Sequence, residues 1–599
     1  KLLATVILAA GCLVIAGVRE PGLHAGPAGE PPKATPPGEP ATPPADEVLT
    51  FEGRVVGPTD HPVVGAKLYA LYYTPKAMAI PVRGTSDKDG RFRFTMKRSD
   101  FEQSYTPTPW RGLHVLARAD GHAVGWAVTD AKMADAANLT VRLPADKPLI
   151  GRFVSLEGKP IAGLTVQLEG LMRPRAGQAD LAALVTELKA KGVGYPVERD
   201  HVEGFEGSWI GRDLGSLFPA VTSGQDGKFS IPAIGAERLT VLRITGPGVE
   251  NKTVRVVTRD AESMTVPEWD RDRPAPGIPA PTTMTYLGQG ADIPLAPGRT
   301  VTGVVKDAAT GKPIPDCQVA TEKLANQNVH GRFDWRAVTD RDGKYTLTGL
   351  PFGKGNVLRA APPAGQPYLM QVRDVPAPEG FNPSPLDFEL ARGVTLEVKA
   401  VDAATGKGVA GRFEYFVFLE DAVSRKVPGF TMPVSGENES KDGTVHLVVP
   451  ATRGMIAFRA TADEYPIAVG AEQFKDRSRG VLIQTAPHLC HATNFNMLQA
   501  VEVKPGDQAK SVTLKLERGR SVKGRVLDPY GKPLAGCLVR GLKSSKTVFG
   551  LWEPEPMKSA EFEARDIGSG KPRAVAFIHK ERKLAGTVRV NGGEKEAVE

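Results

Sequence analysis

The stretch VTGVVKDAATGKPIPDCQVAT (Val301–Thr321), followed by TDRDGKYTL (Thr339–Leu347), decides the fold. Apolar residues alternate along Val301, Gly303 and Val305, the period that places one face of a strand inward. Gly311 then turns the chain, and Pro313 fixes a backbone angle that a central strand would not tolerate. In the second piece Asp342-Gly343 sits between two alternating runs. Asp-Gly is a strong short-range hairpin signal, because Gly accepts a positive φ.

Working outward, the first piece recurs as IGRFVSLEGKPIAGLTVQL (Ile150–Leu168) and VKGRVLDPYGKPLAGCLVRG (Val522–Gly541). Looser copies are FEGRVVGPTDHPVVGAKLYAL (Phe51–Leu71) and LEVKAVDAATGKGVAGRFEYF (Leu396–Phe416). The second piece recurs as TSDKDGRFRF (Thr85–Phe94) and TSGQDGKFSI (Thr222–Ile231), with SKDGTVHL (Ser440–Leu447) as a looser copy. Self-similarity that recurs along the chain, with the two pieces at variable distance from each other, signals an array of like units. Each unit carries several short strands, which predicts an all-β chain of tandem seven-stranded antiparallel β-sandwiches of immunoglobulin-like or prealbumin-like type. The expected boundaries are 47–146, 147–262, a linker at 263–293, then 294–392, 393–516 and 517–599. The last unit is expected to lack its closing strand. The chain opens on Lys1, and continuation beyond both ends is expected.

The pairing of GxVxDxxGxPxxGxxV with TDxDGxF resembles the carboxypeptidase regulatory-like, or transthyretin-like, β-sandwich domain, and is similar to the collagen-adhesin B-type repeat. The resemblance covers most of residues 47–599. It implies a sandwich fold and no catalysis of its own, since such modules accompany many unrelated proteins. No peptidase motif and no Lys–Asn cross-link trio can be placed here. The layout also resembles anchored arrays of planctomycete type, some with a sigma-factor domain ahead of the anchor.

Ahead of the units, LLATVILAAGCLVIAGV (Leu2–Val18) carries no charge. As a helix it would span about 25 Å, short of a hydrocarbon core of about 30 Å. It reads as a membrane anchor, with a cleaved signal and a lipoprotein signal around Cys12 as alternatives. All three tie residues 1–18 to export or to a membrane. Residues 19–46 are Pro-rich and read as an extended spacer.

Composition bounds the function. Gly (65) and Pro (51) are abundant, as many turns require. The net charge of +8 is dispersed, without the basic stripe and stacking aromatics of a nucleic-acid binder. Cys12, Cys317, Cys490 and Cys537 lie far apart, which excludes a dense disulfide framework. Asp87/Asp89 and Asp340/Asp342 read as hairpin turns. A calcium loop needs Gly at its sixth position and Glu at its twelfth, and here Gly follows the second Asp directly. His488, Cys490 and His491 form the densest group of metal-capable side chains, yet neighbours on a strand point to opposite faces. No metal, cofactor or catalytic residue is expected.

The most individual segment is 170–219, inserted within the second unit. Ala179–Lys191 spaces Leu181, Leu184, Val185 and Leu188 on one helix face. Tyr195, Phe205, Trp209 and Phe218 follow. Helix and aromatics are expected to cap the open end of their own sandwich, the other reading being a binding surface. Trp110, Trp126 and Trp335 read as core or rim. These features suggest a membrane-anchored, extracytoplasmic structural or interaction protein, on the periplasmic or cell-surface side. Its partners would be the membrane, through residues 1–18, and a cell-envelope protein or polysaccharide. Alternatives are a regulatory tail of a larger signalling protein, for example sigma-factor-linked, and a carbohydrate-binding accessory array.

Overall fold

The computed structural model of the chain describes residues 48–598 other than 73–79, 98–99, 102–111, 130–135, 207–213, 269–282, 326, 329–334, 364, 378–379, 381, 418–438, 463, 475–494, 543–555, 569–571 and 595–596. The segments 1–18 and 19–46, Trp110, Trp209 and the group His488, Cys490, His491 lie outside the described residues.

One arrangement repeats. In the first unit the opening strand Val48–Val56 is the middle of a three-stranded sheet, between Arg91–Lys97, antiparallel, and Ala136–Arg142, parallel. A four-stranded sheet of Val82–Thr85, Lys67–Leu71, His114–Arg118 and Gly125–Val128 packs on it. Phe51, Val55, Phe92 and Val141 from the first sheet meet Leu68, Val115 and Ala117 from the second in one core. The opening strands Leu149–Ser155, Arg299–Asp307 and Val394–Asp402 are flanked in the same way. Each has an antiparallel partner on one side and a parallel closing strand on the other.

The glycine of the repeated motif has a steric cause. A Cβ on Gly53 would lie 2.0 Å from the carbonyl oxygen of Leu139, and one on Gly303 would lie 1.9 Å from that of Leu386. Both carbonyls belong to the segment that closes the unit alongside the opening strand, so only hydrogen fits. The Asp-Gly pieces are hairpin turns. Asp340 Oδ1 accepts the N–H groups of Asp342 (2.9 Å) and Lys344 (2.8 Å), and Gly343 has φ 70°. Asp87 does the same for Asp89 and Arg91.

Two boundaries differ from the sequence expectation. Within the expected linker 263–293, the described strands Met264–Pro267 and Thr283–Gly288 extend a sheet of the second unit. Asp292–Leu295 is that unit's closing strand, parallel to Leu149–Ser155. In the last unit, Val598 pairs in parallel with Gly524, donating its N–H to Lys523 O at 3.0 Å and accepting from Arg525 N–H at 2.9 Å. That is the register Leu386 occupies beside Gly303 in the third unit, where its N–H donates to Thr302 O.

In the insertion, α1 (Ala182–Lys191) ends at Gly192 in the left-handed conformation. Leu181, Leu184 and Leu188 are buried and Val185 is partly buried beside them, as their spacing predicts. A second helix, α2 (Tyr195–His201), was not expected.

Candidate functional site

The residues that set this chain apart from a string of independent domains lie at its joints. After the closing strands of the second, third and fourth units comes a short strap: Leu295-Ala296-Pro297-Gly298, Leu390-Ala391-Arg392-Gly393 and Leu516-Glu517-Arg518-Gly519. Each strap is hydrogen-bonded back to a loop of the unit it leaves. Glu250 N–H donates to Ala296 O and Gly298 N–H to Gly248 O. Leu369 N–H donates to Ala391 O, Gly393 N–H to Pro367 O, and Gly519 N–H to Glu464 O. The glycines permit this contact: a Cβ on Gly298 would lie 1.9 Å from Val249 O.

Two straps carry an arginine that locks them further. Asp307, at the end of its opening strand, accepts the N–H groups of Ala309 (2.8 Å) and Thr310 (3.0 Å) on Oδ1. Its Oδ2 accepts Arg392 Nε at 2.8 Å and Tyr368 OH at 3.0 Å. Asp402 repeats the pattern with Thr405 N–H (2.9 Å), Arg518 Nε (2.7 Å) and Tyr465 OH (2.9 Å). Burial alone would raise the Asp307 carboxyl. Hydrogen bonds from Arg392, two amides and Tyr368 outweigh it and hold the group well below the usual carboxylate range. The Arg518 guanidinium foremost, with the Thr405 amide, does the same for Asp402. Burial, reinforced by the Asp402 carboxylate, pushes the Tyr465 phenol up to about 12. In the last unit Asp528 caps its turn through Tyr530 and Lys532 N–H and takes Arg582 at 3.0 Å. The first two units place Gly57 and Ser155 at this position and have no such carboxylate.

The joint between those two units is built from apolar surface instead. A single buried cluster contains Leu71, Leu116 and Trp126 of the first unit with Phe205, Leu214, Leu217 and Phe218 of the insertion. Trp126 and Phe205 meet edge to face, ring centroids 5.3 Å apart at 72°. Such a pair adds about 0.5–1.5 kcal/mol beyond its buried area. The guanidiniums of Arg173 and Arg238 lie 4.9 Å and 5.0 Å from the Trp126 ring centroid, and Arg173 Nη1 donates to Trp126 O at 2.8 Å. His114 meets the Phe205 ring at 5.9 Å. Burial, helped by Arg173, pushes His114 down to about 4, so it stands neutral in the seam. Backbone bonds complete the joint: Val124 N–H donates to Ala233 O, and Ala233 N–H to Asp146 Oδ1, each at 2.9 Å.

Phe205 and Phe218 are therefore covered by the neighbouring unit, beyond capping their own sandwich. Tyr195 is half-buried and lines a cavity of about 410 Å³ with His114, Met172, Val202 and Phe205. Beneath α2, Glu198 Oε1 accepts Tyr286 OH at 2.5 Å and lies 2.5 Å from Arg255 Nε. Trp126 is core and Trp335 is partly buried against the core of the third unit. Cys317 and Cys537 are buried free thiols, and burial pushes Cys317 up to about 12. Among the described residues, no group of three His, Cys, Asp or Glu is arranged to hold a metal ion. No helix among them is long and apolar enough to cross a membrane.

Sequence reasoning missed the Asp307 and Asp402 latches, although DAATGK occurs twice, at 307–312 and 402–407. A strap of Ala or Glu, Arg and Gly follows in both cases.

No family model matches the chain, so the resemblance to carboxypeptidase regulatory-like domains rests on its motifs. No curated protein matches it either. Among solved structures it is similar to the Bacillus anthracis TIE protein, at 9% identity over 76% of this chain and 73% of that one, with a TM-score of 0.15. It is also similar to a Streptococcal ancillary pilin, at 11% identity over 62% of this chain and 99% of that one, with a TM-score of 0.18. The minor pilin GBS52 of Streptococcus agalactiae is similar at 16% identity over 37% of this chain and 95% of that one, with a TM-score of 0.16. Likenesses at this level define neither a family nor a shared arrangement of units.

Proposed function

We propose that the chain is a non-catalytic structural protein of the extracytoplasmic side, a membrane-anchored array of carboxypeptidase regulatory-like modules that sets distance and presents loops. The observation that carries this reading is the hydrogen-bonded strap after the second, third and fourth units. An array whose purpose is to hold spacing needs joints that resist bending, and two buried carboxylates of this chain are engaged by its straps. Asp307 and Asp402, whose carboxyls are strongly shifted, are consumed by turn amides and strap arginines. Shifted carboxyls often mark active sites, and structural ion-pair networks are the other common cause. A carbohydrate-binding array would call for exposed, coplanar aromatics, and Trp126, Phe205 and Phe218 are buried.

Protease shaving of intact cells, with peptide mass spectrometry of the membrane fraction, tests the reading. External protease is expected to release peptides from 47–599 while peptides spanning 1–18 stay with the membrane. Protection of 47–599 until cells are lysed would overturn it.

A further inference from the structure

The parallel closing strand has a mechanical meaning. In an antiparallel hairpin both ends emerge on the same side, and pulling them apart breaks the ladder one bond at a time. In a parallel pair they emerge at opposite ends of the ladder. Tension along the chain then loads all the bonds together, in shear, and every one must yield before the strands part. Parallel ladder bonds are evenly spaced, so the load is shared.

In every fully flanked unit of this chain, the strand where the chain enters and the strand where it leaves form such a pair. The ladders differ in extent. In the first unit Gly53↔Leu139 runs to Val56↔Arg142, with a register shift ahead of it at Phe51. In the second the pairing covers Arg152↔Asp292 to Ser155↔Leu295. In the third it comes in two pieces, Val301 and Thr302 against Ser384 and Pro385, then Val305–Asp307 against Phe388–Leu390. In the fourth it is unbroken over eight pairs, from Thr395↔Ala509 to Asp402↔Leu516. Ala403 N–H extends it by donating to Leu516 O at 2.8 Å. Arg518, just past the closing strand, is held to Asp402 at the far end of the opening strand.

From this topology we propose that the chain bears tension along its length, and that the fourth unit is its strongest link. The straps fit that role, since they hold little slack for a pull to take up before load reaches the ladders. The inference goes beyond the array reading and stands on strand direction and ladder length, so the cellular location of the chain does not decide it.

Single-molecule pulling of the full chain, held at its two ends, tests it. Rupture of the fourth unit frees the chain between Val394 and Leu516, a step of about 44 nm at roughly 3.6 Å per residue. Forced unfolding reads the unfolding rate, so the step with the most shear-loaded bonds should need the highest force. The expected result is that the 44 nm step ruptures at the highest force of the series. The double variant Lys399→Cys/Thr513→Cys places two thiols at an exposed paired position of the ladder. Once oxidised, and with thiol titration confirming the bond, it should lose the 44 nm step and regain it on reduction. A 44 nm step at or below the force of the other units overturns the proposal. So does an unchanged step in the oxidised chain.

Discussion

Arg392 Nε donates to Asp307 Oδ2 at 2.8 Å across 85 residues of chain, tying the strap that leaves the third unit to the end of that unit's own opening strand. The carboxylate is buried while the guanidinium is half-exposed. The pair therefore acts through the carboxylate: with its partners removed, a charge would be stranded in the interior.

Asp307→Ala removes both turn amides and the strap arginine from their acceptor. The expected cost is on the order of 1–3 kcal/mol. Hydrogen exchange at the Ala309 and Thr310 amides should accelerate together with that at Gly393. Asp307→Asn keeps an acceptor for the turn and loses the ion pair, so only the strap amides should speed up. Unchanged exchange in both variants would remove the latch from the account.

Phe205→Ala should separate the first two units energetically. A buried Phe→Ala change costs about 3–5 kcal/mol, and this side chain is shared between units. Calorimetry of the full chain should show the first two units melting together in the wild type and as two transitions in the variant. Co-melting that survives the change would mean that the backbone bonds alone couple them.

The seam should weaken in acid before the latches do. His114 titrates at about 4 in the fold and at 6.5 ordinarily. Below 6.5 the unfolded chain binds a proton that the folded chain refuses, so its contribution is complete above 6.5 and lost as pH falls toward 4. The loss is about 3 kcal/mol at most, at about 1.4 kcal/mol per unit. Asp307 and Asp402 are lowered as well, but from an ordinary 3.8, so their contribution is present above 3.8 and disappears only as pH falls below it. Stability measured from pH 7 to 4 should fall less steeply in His114→Gln than in the wild type. Equal slopes would mean that other groups carry the acid response.

Ala233 has φ 65° at the strand end where the next unit has Gly349 with φ 80°. The left-handed conformation costs a side-chain-bearing residue about 1–2 kcal/mol, while glycine pays about 0.5–1 kcal/mol of extra chain entropy. Ala233→Gly should therefore stabilise the second unit by about 0.5–1 kcal/mol in denaturant unfolding. Gly349→Ala should do the reverse, and more severely, because its Cβ would lie 2.3 Å from the Asn251 side chain.

The repeat was legible because its causes are local. A turn aspartate, a left-handed glycine and an alternating run all fall within about ten residues of each other. The helix face of Leu181, Leu184 and Leu188 was legible for the same reason. What the sequence concealed depends on distant partners. Asp292–Leu295 is a short piece following a Pro-rich stretch, and it becomes a strand through Leu149–Ser155, far back along the chain. Helix α2 is only seven residues long and has a proline in its first turn, too short for a periodic signal. Phe205 looked available for binding because nothing near it in sequence announces Trp126.

The Asp–Tyr–Arg latch is contained within one unit and the strap that leaves it. As far as the latch goes, the third and fourth units are accordingly cassettes: duplicating or deleting either would carry its own Asp–Tyr–Arg fastening along and leave the other's in place. The first two units lack that freedom. Phe205 has no cover without Trp126, so a gene rearrangement that parted them would expose an aromatic surface on each side. Changes in the length of this protein should therefore occur past the second unit, while the leading pair is inherited whole.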